Sequence, residues 1–469
     1  MHEVDNIDDL QQSFLNHKAY FNQHSYPTYD ERVQSLKKLK SLVLENQQKF
    51  VTAMSDDFGY RCHDDSLIGD ILTTVSAINY QLKHLKGWMK PAKKHVGILF
   101  QPAKAEVLYQ PKGVVGIIAP WNYPLFLSLG PLATSIAAGN CAMIKMSEFT
   151  PNTNALLAEL LAKDFTQNEV TIVVGESEIA QSFSELKFDH LFFTGSTQVG
   201  SYVMQAAAKN LVPVTLELGG KSPAIIAEDM PIEVAVKRFI LGKTLNAGQT
   251  CVAPDYVFCP SGKVDELVEC IKHTYRKMFP EHSYEKDTTC VVNEKQYLRL
   301  QGLVEDAKSK GAEVIQLTSK QSNLRQMPLT LLLNVSNEMA IMKEEIFGPI
   351  LPVIEYNHLD FVFDYIRERE RPLALYLYSF DKALIEKVKY KTHAGGVCIN
   401  DAAFHVANDD LPFGGIGESG MGSYHGKEGF LTFSHAKSVF SRGKISLAPM
   451  LFPPFGQAIH KLVYKLFIR

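Results

Sequence analysis

Two side chains of this 469-residue chain stand in settings that point to chemistry: Cys251 and Glu217. Cys251 closes the run Asn246-Ala247-Gly248-Gln249-Thr250-Cys251, where small and hydroxylated neighbours on glycine-permitted backbone predict an exposed, approachable thiol. A cysteine that only fills space keeps apolar company, as Cys259 does in Tyr256-Val257-Phe258-Cys259. Glu217 lies 34 positions upstream in Glu217-Leu218-Gly219-Gly220-Lys221-Ser222-Pro223, also followed by glycines, and offers a carboxylate as general base. A thiol nucleophile with a carboxylate base suits covalent catalysis in which water later releases an acyl group. Either motif alone would pass for a loop cysteine or a surface glutamate. Their joint occurrence carries the reading.

A second pair of motifs suits a dinucleotide. Gly195-Ser196-Thr197-Gln198-Val199-Gly200 follows the strand-like Leu191-Phe192-Phe193-Thr194 and opens a helix, whose free N–H groups and dipole fit a pyrophosphate. Lys145-Met146-Ser147-Glu148 ends an earlier strand, where an acidic residue can accept hydrogen bonds from ribose hydroxyls. The plainer alternative for that pair is a solvated lysine and glutamate in a loop. The literal G-x-G-x-x-G at residues 415–420 has no strand before it and no βαβ unit after it, so it reads as a glycine-rich turn.

The elements that must position these residues show in the periodicity. Residues 30–56 carry Val33, Leu36, Leu39, Val43, Phe50 and Met54 on one helical stripe, and a second helical stretch spans 68–88. Residues 98–112 read as extended structure with a turn. From Val114 short apolar strands alternate with helices: strands at 114–118, 141–145, 170–174, 190–194 and 213–218, helices at 125–138 and from Pro151 through Leu160. That rhythm implies a parallel sheet flanked by helices. A second α/β stretch covers about 222–400, with strands at 224–226, 314–316, 350–354 and 397–400.

Composition narrows the class. A 46% hydrophobic and 21% charged chain of this length holds two or three domains with ample core. A net charge of −3 gives no pull toward nucleic acid. Seven scattered cysteines without a CxxC pair argue against a disulfide framework and a zinc site, and for a reducing compartment. The acidic start, without an apolar core, does not read as a signal peptide, so the expected location is the cytoplasm.

Taken together, the motifs resemble the aldehyde dehydrogenase superfamily. The carrying residues are Pro120-Trp121-Asn122-Tyr123-Pro124, Lys145-Met146-Ser147-Glu148, Phe193 to Gly200, Glu217 to Lys221, Gly248-Gln249-Thr250-Cys251, Glu344-Glu345-Ile346-Phe347-Gly348-Pro349 and Pro412-Phe413-Gly414-Gly415. Within it, Asp57-Phe58-Gly59, Trp88-Met89-Lys90-Pro91, Asp401 and Tyr424-His425-Gly426 are similar to the class 3 branch that includes bacterial coniferyl aldehyde dehydrogenases. Met146 departs from the family's usual proline. The resemblance implies that Cys251 attacks the aldehyde as a thiolate, that Asn122 and the Cys251 N–H hold the oxyanion, and that Glu217 activates the hydrolytic water. It assigns NAD, or NADP, to Trp121, Lys145, Glu148, Gly195, Ser196, Val199, Gly200, Leu218, Glu345 and Phe347.

The implied fold is α/β: a Rossmann-like cofactor domain (1–92 and 112–218), a catalytic domain (219–418), and a small β bridging unit (93–111 with 419–445) that favours a homodimer. The substrate class would be aromatic, coniferyl-type, or medium- to long-chain aldehydes. Two rivals share the fold: a CoA-acylating dehydrogenase, whose known forms lack the glutamate base, and a non-catalytic protein that would have lost the nucleophile. A plain cysteine hydrolase would leave the nucleotide motifs without a use. In the tail, 446–469, Ile459, Leu462, Val463, Leu466 and Phe467 fall at helical spacing, with Lys461, Lys465 and Arg469 at the polar edge. This pattern allows a peripheral membrane contact, a cap over the substrate funnel, or packing on a subunit.

Overall fold

Three sheets organise the chain in a computed structural model that describes residues 3–318 and 324–468. The first has the spatial order Glu3–Val4, Val170–Val173, Cys141–Lys145, Val114–Ile118, His190–Thr194, Val214–Glu217 and Gly420–Met421. All its pairings are parallel except the last. Its central strands are near-continuous apolar runs because helices cover both faces; every residue of Cys141–Lys145 is buried. Strand order reverses at Val114–Ile118, which has the later strand Cys141–Lys145 on one side and His190–Thr194 on the other. Ligands of such sheets bind outside the carboxyl ends of the strands at this switch point. Asn122, Gly195 and Glu217 all lie at or just beyond those ends.

The second sheet runs Glu313–Gln316, Thr330–Leu333, Ile350–Tyr356, Tyr256–Pro260, Pro223–Ile226, Ala374–Tyr378 and Gly396–Ile399, with only the first pairing antiparallel. The third is antiparallel, with Lys104–Pro111 between Ser434–Ser441 and Ala92–Lys94.

Several boundaries differ from the sequence expectation. The stripe over 30–56 is two helices, Tyr29–Glu45 and Gln47–Phe58, broken at Asn46, whose φ of −118° and ψ of 18° leave the helical region. The stretch 68–88 opens with a π-helical segment, Leu67–Leu72, before the α-helix Thr73–Trp88. Periodicity missed the helix Ile7–Gln23 and the strands Tyr256–Pro260, Thr330–Leu333 and Ala374–Tyr378. The three strands are wholly or mostly buried, and a short apolar run carries no alternation to mark it. The turn at 415–420 is there for close packing. A Cβ at Gly415 would lie 1.9 Å from the Ser419 carbonyl, and one at Gly420 would lie 2.4 Å from that of Leu216.

Candidate active site

Glu217 ends its strand with Thr194 paired on one side and Gly420 on the other. Its carboxylate is buried, and neither oxygen has a hydrogen-bond partner among the described residues. Burial therefore lifts its pKa well above the usual carboxylate range. Such a group rests as the neutral acid and is a strong base once ionised.

The nucleophile sits on a strained loop. After the helix Ile232–Thr244, Asn246, Ala247 and Gly248 take φ values of 51°, 53° and 71° in succession. The left-handed region costs a non-glycine residue roughly 1–2 kcal/mol, so the surroundings must over-determine it. They do. Asn246 donates from its backbone N–H to Asp65 Oδ2 at 3.2 Å and from Nδ2 to the Asn122 carbonyl at 3.0 Å. Gln249 donates to the Cys290 carbonyl and accepts from the Val292 N–H, both at 3.0 Å. Gly248 is required, since a Cβ there would lie 2.6 Å from the Gly348 carbonyl oxygen.

This loop delivers Cys251 to the margin of the second sheet's core, partly buried instead of exposed as the sequence suggested. Burial first, then the charges of Glu345 and Glu217, push its thiol up to about 12, while the N–H groups of Cys251 and Val252 pointing at the sulfur act the other way. Burial thus favours the protonated thiol at rest. It must lose its proton when substrate is in place.

Asn122 is buried beside it and donates from Nδ2 to the Gln249 carbonyl at 3.1 Å. The neighbouring Tyr123 hydroxyl shares a 2.7 Å hydrogen bond with Thr250. Below this turn Asp70 accepts the N–H groups of Leu125 and Phe126, each at 3.0 Å, and pairs with Arg61 at 2.9 Å, both side chains fully buried. Removing one member of such a pair costs about 3–5 kcal/mol, so the turn carrying Asn122 is rigidly founded.

The cofactor candidates form two groups. Glu345 reaches back into the centre: a Cβ on Gly219 would lie 2.1 Å from its carboxylate, which accepts the Gly220 N–H. Burial and the nearby Asp255 raise its pKa to about 8. Phe347, at φ 50°, meets the Trp121 ring edge-on at 5.3 Å. Leu218 is buried against Gly200, where a Cβ would approach its side chain to 2.6 Å. On the outer rim the Gly195 N–H donates to the Glu217 carbonyl at 3.0 Å, the Ser196 side chain caps the helix Thr197–Ala208, and Val199 is 46% exposed. Lys145 is buried, Glu148 exposed. The strand bearing Lys145 is two places from the strand before Gly195, about 10 Å across the sheet.

The residues present fit a dinucleotide. Burial lowers the pKa of Lys145, whose ammonium donates to the Met146 carbonyl at 2.7 Å and has two further donors to offer. A ribose hydroxyl held jointly with Glu148 would take one of them. Between the two sheets a cleft of about 670 Å³ is lined by Gly219, Gly220, Glu345 and Thr197, among others.

Sequence reasoning passed over the supports. Lys221 forms an ion pair with Asp255 and donates to the carbonyls of Ile341 and Glu344, while Arg299 grips the carbonyl of Ile346 at 2.6 Å. Together they fix the loop that carries Glu345 and Phe347. Tyr424 was also passed over, although its motif was noted. Its backbone exchanges hydrogen bonds with Phe413 at 2.9 and 2.7 Å, and its buried ring lies 4.9 Å from that of Phe192. Phe192 pairs with Thr215, on the same face of the strand as Glu217, so Tyr424 packs on the face that holds the base.

Comparison with known proteins agrees with this geometry. Residues 7–439 match the model of the Aldehyde dehydrogenase family. A protein named probable coniferyl aldehyde dehydrogenase from Pseudomonas aeruginosa is 52% identical over 463 residues, covering 99% of this chain and 97% of that one. A coniferyl aldehyde dehydrogenase from a Pseudomonas species is 43% identical over 438 residues, covering 92% and 91%. Among solved structures, a substrate-bound Staphylococcus aureus AldH superimposes with a TM-score of 0.93 at 38% identity, covering 98% and 99%. A Mycobacterium tuberculosis aldehyde dehydrogenase complexed with NAD+ gives 0.85 at 27% identity, covering 94% and 92%.

Proposed function

The chain belongs to the aldehyde dehydrogenase family and is an oxidoreductase that acts on aldehydes with a nicotinamide cofactor, and from that premise we propose that it oxidises an aromatic, coniferyl-type aldehyde to the acid with NAD. The observation that supports the mechanism is the unpartnered Glu217 carboxylate close enough for its charge to act on the Cys251 thiol, with the Asn122 amide bound to the carbonyl of Gln249 two residues before that thiol.

Cys251 Sγ attacks the aldehyde carbon as its proton passes to water. The new alkoxide is held by Asn122 Nδ2 and the Cys251 N–H, a preorganised donor pair of the kind worth about 3–4 kcal/mol per donor in acyl transfer. A bound oxidised nicotinamide supplies the acceptor for the carbon's hydride. Glu217 in its ionised form then takes a proton from water, the water oxygen adds to the thioester carbonyl, and the C–S bond breaks to release the acid as the Glu217 proton passes to the departing sulfur. Glu345 and Phe347 would hold the nicotinamide ribose end, with Trp121 and Leu218 beside it. Lys145 and Glu148 would hold the adenosine ribose, and Gly195, Ser196, Val199 and Gly200 the pyrophosphate. The Glu148 carboxylate disfavours a 2′-phosphate, hence NAD over NADP.

The substrate reading is supported by the names of the relatives and by an aromatic surround. The His425 ring stacks on Phe413 at 5.0 Å, Tyr424 meets Phe413 edge-on at 6.3 Å, and Phe126 lies 6.3 Å from His425. Hydrolysis instead of acyl transfer to CoA follows from the presence of Glu217. The unpaired outer edge of Ser434–Ser441 suits a homodimer, and the amphipathic tail a peripheral membrane contact. The test is kcat/KM for coniferyl aldehyde and decanal by NADH absorbance, with and without CoA. Coniferyl aldehyde should lead by about tenfold or more, with free acid as product; a preference for decanal refutes the substrate class.

A further inference from the structure

The aromatic surround of the pocket contains one polar group that the reaction above leaves without a task, the imidazole of His425. Its backbone takes φ 86° and ψ 144°, a conformation that suits glycine and strains a residue with a side chain. Gly426 follows it and has no alternative, because a Cβ there would lie 2.0 Å from the Asp409 carbonyl oxygen. At 425 the chain keeps a ring where the backbone would be easier without one. Such strain persists at ligand clamps and active sites, where the side chain repays it.

The side chain is only 8% exposed. Nδ1 is sealed from solvent with no hydrogen-bond partner among the described residues, and Nε2 is unbonded too but not sealed. Burial lowers the pKa to about 4, so at neutral pH the ring carries one N–H and one lone pair. A buried polar side chain normally finds its partner within the fold. The neighbours of this one place it beside the reaction centre instead. The ring stacks on Phe413 with the planes 16° apart and meets the Tyr424 ring edge-on at 4.3 Å. Phe413 packs against the cores of both large sheets, the second of which also holds Cys251. Burial first, then the charges of Glu217 and Cys251, push the Tyr424 hydroxyl up, so that hydroxyl lies near both base and nucleophile. From the cofactor domain Phe126, four residues after Asn122, tilts toward the imidazole.

Aromatic faces favour a flat π-system as ligand. One open, neutral nitrogen among them favours a hydroxyl, which can donate to a lone pair or accept from an N–H and so serves either tautomer. A carboxylate or an ammonium would be buried there without a countercharge. We propose that His425 Nε2 binds the phenolic hydroxyl of an aromatic aldehyde, and so selects ring-hydroxylated over unsubstituted cinnamyl substrates. The proposal rests on the coniferyl-type reading given above and narrows it to one recognised group and the residue that recognises it.

The test compares kcat/KM for 4-hydroxycinnamaldehyde with that for cinnamaldehyde, by chromatography of the acid formed, in the full-length wild type and in His425→Phe. Taking the ratio in both enzymes cancels the electronic effect of the hydroxyl on the carbonyl. The ratio of hydroxylated to unsubstituted substrate should fall about five- to tenfold in the variant, the worth of one such hydrogen bond. His425→Gly relieves the positive φ, should show the same fall, and serves where phenylalanine disturbs folding. Thermal melting and NAD titration show which variants are folded. An unchanged ratio in a folded variant, including an equal loss for both aldehydes, overturns the assignment. Decanal separates this outcome from failure of the substrate reading. A wild-type lead for decanal over both cinnamyl aldehydes, with the ratio still falling in the variants, refutes the coniferyl-type reading and leaves the hydroxyl contact standing. A lead for coniferyl aldehyde over decanal with an unmoved ratio refutes the role of His425 alone.

Discussion

The pocket around Cys251 and the rim around Lys145 and Gly195 are built on opposite principles. In the pocket, two consecutive non-glycine residues sit at positive φ, a carboxylate is buried without a partner, and a thiol is pushed up to about 12. Every one of these is unfavourable in isolation, and the strained loop is held by hydrogen bonds from remote segments. On the rim, Glu148 and Val199 are exposed and Ser196 performs an ordinary helix cap. Reactivity is stored where the fold can enforce it. Recognition is left where a ligand can displace water.

If that contrast holds, substitutions in the pocket change rates by orders of magnitude and leave cofactor binding alone. Cys251→Ala should lower aldehyde oxidation by at least about 10⁴-fold, with NAD affinity by fluorescence titration and thermal stability retained. Appreciable turnover would break the comparison at its strongest point.

Glu217→Gln should cut steady-state turnover by about 10²–10³-fold while preserving a burst of about one NADH per site, because only thioester hydrolysis needs the base. The wild-type rate should rise with pH, as deprotonation of a carboxyl with a raised pKa is required, and the variant should lose that dependence. A missing burst would move the glutamate's role to thiol activation.

Glu345→Gln sharpens the comparison, because this residue belongs to both regions. Taking a negative charge from beside Cys251 should lower the thiol's pKa. Alkylation by iodoacetamide in the cofactor-free enzyme should then be several-fold faster at about pH 9, where Glu345 is ionised, and little changed near pH 7, even as KM for NAD rises. An unchanged alkylation rate would show that burial alone sets the thiol.

The smallest effect belongs to the rim. Glu148→Ala should narrow the NAD over NADP preference by roughly three- to tenfold in kcat/KM, with kcat for NAD little altered. A preference that does not move would transfer cofactor choice to other residues.

The sequence made the carboxyl-end placement of the site legible. Val114–Ile118, Cys141–Lys145 and His190–Thr194 are apolar runs closed by glycine, proline or polar residues, and they are strands as expected. Cys251 and Glu217 stood out by their motif settings and Asn122 through the family resemblance, because a motif is read from neighbours along the chain. The exposure of Cys251 was misjudged, since small neighbours describe the local chain and not what packs against it. Asp255, Arg299 and Asp70 were illegible for the same reason. Each is an unremarkable charged residue until folding brings it under a loop dozens of positions away. Strands such as Ala374–Tyr378 escaped because burial on both faces erases the alternation by which a strand is read.

The antiparallel pairing of Gly420 with Glu217, backed by the Leu218 N–H donating to the Ser419 carbonyl at 3.1 Å, ties the base to a segment about two hundred residues later. During synthesis the strand Val214–Glu217 therefore waits with an open edge until the whole second sheet has been made. Contacts of such separation form late and slowly. A ribosome that stalls before residue 420 releases a chain that holds the nucleophile and the base but has not closed the sheet around them.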